Sequence, residues 1–114
     1  MEPLELVKQL VKSLDDHKAQ DIQVLKVTDV TSLADYFVIA EGTSSTQVRS
    51  LTDYAEEELK QRGVTPLRTE GYHGSTWILM DYGSVIVHVF QHETREYYNL
   101  ERLWKDAEKI EIEN

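Results

Sequence analysis

The 114-residue sequence contains no cysteine. That absence removes disulfides, thiolate nucleophiles and zinc sites built on thiolates, and it suits a reducing compartment. Proline occurs twice and glycine five times, never in a run, so no stretch reads as a linker or a low-complexity segment. No internal repeat is present. No apolar run approaches the ~20 residues that cross a bilayer, and Met1-Glu2-Pro3-Leu4 does not begin a basic-then-apolar leader. The expectation is a soluble, cytoplasmic chain with no membrane partner. Basic residues are also scarce: 12 Lys and Arg stand against 21 Asp and Glu, a formal net charge of −9. Such a chain repels phosphate at long range, so bare DNA or RNA is a poor partner. A basic protein surface would suit it, and solubility alone would also explain the charge.

What is present reads as one α/β domain spanning residues 1–114. Leu4, Val7, Val11 and Leu14, widened by Leu6 and Leu10, predict an amphipathic helix over residues 3–18, with Pro3 in its first turn. Residues 22–28 read as a strand, and Tyr36–Ala40, apolar on both faces, as a central one. Gly42-Thr43-Ser44-Ser45 ends it. Ser44 and Gln47 form a capping-box pattern before a helix with Val48, Leu51, Ala55 and Leu59 on its buried stripe, stopping at Gly63. Leu67–Glu70 reads as a short edge strand after Pro66, and residues 76–82 and 85–91 as a hairpin. A last helix from about Glu96 buries Leu100, Leu103, Trp104 and Ala107, and the acidic tail after Lys109 frays. The order α-β-β-α-β-β-β-α predicts a mixed sheet of about five strands with flanking helices.

The hairpin carries the most functional information. With Gly83-Ser84 as a two-residue turn, Ile78, Met80, Tyr82, Val85, Val87 and Val89 share one face of the pair. Trp77, Leu79, Asp81, Ile86, His88 and Phe90 share the other. The first set is nearly all aliphatic and suits packing beneath helices. The second mixes large apolar groups with an acid and an imidazole, whose unpaired burial would cost several kcal/mol. Either this second face stays near solvent as an apolar docking surface, or another helix covers it too. A three-residue turn would exchange the two sets.

Catalytic patterns are sparse. His88 and His92 are four residues apart, but on a strand and its end rather than a helix, which makes a metal pair a poor reading. His17 and His73 stand apart from them. The Gly42 loop could hold an anion at a helix N-terminus, but it lacks a P-loop lysine, and a plain helix cap explains it better. No serine-hydrolase elbow and no Asp-x-Asp strand pair occurs. Asp81 has no second acid or nucleophile beside it. Arg95 and Glu96 read as a local ion pair.

Taken together, Asp35-Tyr36-Phe37-Val38-Ile39 with Gly42-Thr43-Ser44-Ser45 and Gln47-Val48, Glu70-Gly71, Trp77–Gly83, Val85–Phe90, Arg95-Glu96-Tyr97-Tyr98 and Leu100–Trp104 resemble the ribosomal silencing factor (Iojap) family over nearly the whole chain. The resemblance implies a nucleotidyltransferase-like fold without enzymatic activity or cofactor. It also implies binding to the large ribosomal subunit through ribosomal protein L fourteen, steric blocking of subunit joining and repression of translation. Family members also form homodimers. The implied partner-binding residues are Trp77, Leu79, Asp81, Ile86, His88 and Phe90. The alternative reading is a nucleotide-binding, nucleotidyltransferase-like protein using the Gly42 loop.

Overall fold

Apolar spacing builds the first layer. In the computed structural model, which describes residues 1–112, helix α1 (Pro3–Asp16) buries Leu6, Val7, Leu10, Val11 and Leu14. Leu4, counted with that stripe from its spacing, lies exposed at the helix start. Strand β1 (Gln20–Lys26) begins two residues earlier than expected, with an irregular register between Gln20 and Gln23 and Asp21 at φ +52°. Strand β2 (Tyr36–Gly42) is buried from Phe37 onward, as its two-sided apolar run requires.

Helix α2 (Ser45–Lys60) starts at a true cap: the Gln47 N–H donates to Ser44 Oγ at 3.1 Å. The return bond lies one residue earlier than in a standard box, because Gln47 Oε1 accepts from the Thr43 N–H at 2.6 Å. At the other end Gly63 takes φ +82°, and the Val64 N–H closes on the Leu59 carbonyl at 2.9 Å.

Strands β3 (Arg68–Glu70), β4 (Trp77–Asp81) and β5 (Val85–Gln91) follow. Helix α3 (His92–Tyr98), the one-turn α4 (Leu100–Leu103) and strand β6 (Glu108–Ile110) complete the order. The sheet order is β3-β4-β5-β2-β1-β6, with β2 and β5 parallel and the other neighbours antiparallel.

The α/β class and mixed sheet agree with the sequence reading, and two details differ. The closing helix begins at His92 and breaks at Asn99, whose φ of +46° turns the chain and whose Oδ1 accepts from the Arg102 N–H. The sheet has six strands rather than five. Residues 108–110 pair with Lys26, Leu25 and Val24, and Ile110 and Ile112 pack on the core. The alternation Lys109-Ile110-Glu111-Ile112 has the period of a half-buried edge strand; the rest of the tail expected to fray, residues 113–114, lies outside the described residues.

The sheet separates two cores. Beneath α1 and α2, Val24, Val38, Ala40, Ile78, Met80 and the three valines of β5 form the larger one. On the opposite face Leu25, Val27, Phe37, Ile39 and Phe90 form a smaller one, closed by Leu100 with Trp104 and Ala107. The segment running from α3 to β6 therefore crosses the second face.

Candidate docking surface

The hairpin register is the expected one: Trp77 pairs with Phe90, Ile78 with Val89, Leu79 with His88, Met80 with Val87 and Asp81 with Ile86. Gly83 supplies the turn at φ +86°, and its N–H donates to Asp81 Oδ1 at 2.8 Å. Asp81 also pairs with Arg68 Nε at 3.3 Å. It is therefore a turn-fixing and edge-pairing group, and it does not stand alone.

The aliphatic face is buried against the helices. The other face is divided. Trp77, Leu79, Asp81 and Ile86 remain partly exposed, whereas His88 and Phe90 are buried. The choice between an open and a covered face thus resolves residue by residue, because the narrow C-terminal strap reaches only part of the hairpin. Trp77 sits at the boundary. Its ring stacks on Phe90 at a centroid distance of 4.9 Å, and Tyr98 approaches it at 4.9 Å. Tyr97 packs edge-on against Tyr98 at 5.1 Å and is 83% exposed. Tyr97, Tyr98, Arg102 and Leu103, the last 70% exposed, line a hollow beside them. These tyrosines were legible only as part of a family pattern. The contact of Tyr98 with Trp77 depends on α3 starting at His92, four residues before the expected helix.

His88 is 5% exposed. The Trp77 indole N–H donates to its Nδ1 at 3.1 Å, so the imidazole proton resides on Nε2, which is buried and has no partner among the described residues. Burial lowers the His88 pKa from 6.5 to about 4. The folded chain therefore binds this proton less readily than the unfolded chain. The stability linked to His88 is complete above its ordinary pKa and is lost as pH falls through the interval between the two values. The expected loss is about 3 kcal/mol by pH 4. Urea unfolding at pH 7 and pH 4.5 measures it, and a His88→Leu variant should lose much of the pH slope; an unchanged slope would place the acid sensitivity elsewhere.

At the carboxyl end of β2 lies a charge network that the sequence reading missed. Arg95, 5% exposed, contacts Glu41 Oε1 through Nη1 at 3.1 Å. Its Nε and Nη2 donate to Glu101 Oε2 at 3.2 and 3.1 Å. His92 Nδ1 lies 2.8 Å from Glu41 Oε2, and His92 Nε2 lies 3.0 Å from Glu96 Oε1. The expected Arg95–Glu96 pair does not form, because successive residues on α3 point about 100° apart: Arg95 turns inward and Glu96 faces His92. His88 lies in the second core while His92 is engaged by carboxylates, and no metal-holding cluster occurs among the described residues.

The Gly42 loop sits beside this network. Its Thr43 N–H and hydroxyl both donate to Gln47 Oε1, and Ser44 Oγ caps α2. Asp21, Glu41 and Glu93 line the adjoining cleft with Thr43 and His92. Three carboxylates around a loop whose cap is already satisfied oppose a phosphate. Among the described residues no helix is long and apolar enough to cross a membrane.

Comparison with known proteins matches the chain to one family. Residues 1–114 match the family model described as ribosomal silencing factor during starvation. A ribosomal silencing factor of Halalkalibacterium halodurans is 38% identical over 109 residues, covering 96% of this chain and 93% of that protein. The mouse protein named mitochondrial assembly of ribosomal large subunit protein 1 is 36% identical over 101 residues, 86% of this chain and 44% of its own length. A crystal structure from Chromobacterium violaceum superimposes with a TM-score of 0.89 at 35% identity, over 100% of this chain and 94% of the other. The chain belongs to the ribosomal silencing factor family.

Proposed function

We propose that this protein represses translation in the cytoplasm by occupying the large ribosomal subunit, through ribosomal protein L fourteen, so that the small subunit cannot join. The observation that carries the reading is the aromatic cluster Trp77–Tyr98–Tyr97 at the open edge of the hairpin face, on a chain of net charge −9 from a family of ribosomal silencing factors. Partly exposed Trp and Tyr groups are favoured anchors of protein interfaces. The acidic balance suits a basic ribosomal protein and speeds encounter more than it adds affinity. The name of the mouse relative, mitochondrial assembly of ribosomal large subunit protein 1, refers to the same subunit.

The mechanism requires no chemistry. One surface of the large subunit is held by this protein or by the small subunit, and occupancy follows concentration and affinity. A homodimer formed through the same cluster would compete with ribosome binding.

Trp77→Ala is expected to weaken association with purified large subunits by about 2 kcal/mol or more, as loss of a central anchor does. Co-sedimentation measures it. Trp77 also packs on Phe90, so Tyr97→Ser serves as a second variant whose side chain is 83% exposed and whose loss spares the core. Wild-type protein that stays at the top of the gradient rejects the ribosomal reading. Wild-type binding with both variants unaffected moves the docking site elsewhere.

A further inference from the structure

Trp77 is held from three sides, and only one contact decides which edge of its ring faces outward. Phe90 stacks on it from the facing strand, and Tyr98 of α3 meets it at a tilt of 49°. Stacking fixes the plane of an indole, but a half-turn about the Cβ–Cγ bond returns the ring to that plane and preserves much of the contact. The Trp77–His88 hydrogen bond of 3.1 Å does not survive that half-turn. A flipped indole would carry its N–H away from its acceptor, His88 Nδ1.

His88 is itself rigidly seated. Phe37 meets it edge-on at 5.1 Å and Phe90 lies parallel to it at 6.2 Å. Its Nε2–H is buried without a partner among the described residues. An aliphatic side chain at this position would leave no such group, and an unsatisfied buried donor costs about 1–3 kcal/mol. An imidazole is favoured there only if its other nitrogen contributes something, and the contribution on view is an acceptor for Trp77.

We propose that His88 is a positioning residue of the docking surface: its Nδ1 fixes the edge of Trp77 that meets the partner and, by taking the indole N–H inward, makes that edge purely apolar. The partner group that fits it is an aliphatic side chain or a cationic stem lying across the ring. The docking role of Trp77 rests on the function proposed above; the positioning of its ring does not.

Two measurements separate the claims. In a Trp104→Phe background, Trp77 is the sole tryptophan. There His88→Leu should shift Trp77 emission to the red, collapse its near-ultraviolet circular dichroism and weaken large-subunit binding about tenfold, the cost of re-ordering one anchor side chain. His88→Asn, whose Oδ1 can stand close to the place of Nδ1, should restore both signals. If His88→Leu leaves the Trp77 spectra unchanged, or if His88→Asn behaves like His88→Leu, the proposal fails. Altered spectra with unchanged affinity uphold the positioning and overturn the docking role of Trp77. Wild-type protein gives an independent check should the leucine variant not fold. The Trp77 indole N–H should exchange slowly with solvent and show a nuclear Overhauser contact to the His88 ring, and fast exchange overturns the proposal.

Discussion

Arg95→Ala is expected to cost about 3–5 kcal/mol of unfolding free energy, the range for removing one partner of a buried ion pair. The side chains of Arg95 and Glu41 are 5% and 7% exposed, and their contact at 3.1 Å joins α3 to the end of β2. With alanine in place, Glu41 keeps its burial but loses its guanidinium, and Glu101 loses two hydrogen bonds. The stability of a domain is about 5–15 kcal/mol in all, so the variant should be near its unfolding limit. Urea denaturation of Arg95→Ala, Glu41→Leu and the double variant Arg95→Met/Glu41→Leu tests the argument. The double variant should recover part of the loss, because the buried Glu41 charge goes with its partner while Glu101 alone stays without its guanidinium. A loss under about 1 kcal/mol for Arg95→Ala would show that water reaches Glu41 and that the pair is effectively a surface one.

The same network sets a second pH dependence, opposite in sign to that of His88. The hydrogen bond and charge of Glu41, helped by Glu96, raise the His92 pKa above its ordinary 6.5. The stability from protonated His92 is therefore complete below pH 6.5 and is lost as pH rises through the raised folded value. In Arg95→Ala, His92 is the remaining cation in contact with Glu41, so this alkaline loss should steepen.

The parts of this molecule that were legible in the sequence are those where one local rule acts alone. Period-2 alternation placed Ile78, Met80, Val85 and Val87 under the helices, and a two-residue turn at Gly83-Ser84 set the register on which everything at Trp77 depends. Capping chemistry located α2. What stayed hidden depends on contacts between distant segments. Nothing local makes Arg95 turn toward Glu41, 54 residues away, rather than toward its neighbour. The covering of Phe90 and His88 follows from a strap that breaks at Asn99, where a left-handed residue splits an expected single helix in two. β6 falls at the start of the acidic tail that was expected to fray; pairing with β1 draws three residues, 108–110, into the sheet. The loop at residues 71–76 is tightly bonded. Ser75, fully buried at φ +59°, donates to the Tyr72 carbonyl and accepts from Arg49, and its own carbonyl accepts from Gln91 Nε2.

That loop also fixes where the chain enters β4, and Gly71 is the residue that permits it. Gly71→Ala is expected to destabilise the protein by about 3 kcal/mol or more, through two effects that a control can separate. Its φ of +80° strains any residue with a Cβ, by about 1–2 kcal/mol. In addition, a Cβ there would stand 2.2 Å from the Trp77 carbonyl oxygen and 3.3 Å from its carbon. Those atoms are backbone at the first residue of β4, so no rotamer change relieves the clash; either the loop or the strand end must move. Gly63 has nearly the same φ, +82°, with nothing within 4 Å of its would-be Cβ. Gly63→Ala should therefore show the conformational strain alone, about 1 kcal/mol. Equal urea midpoints for the two variants would mean that the backbone at Trp77 yields cheaply. A Gly71→Ala midpoint well below that of Gly63→Ala, with Trp77 emission disturbed in the same protein, would show that the close approach of this loop holds the anchor of the docking surface in place.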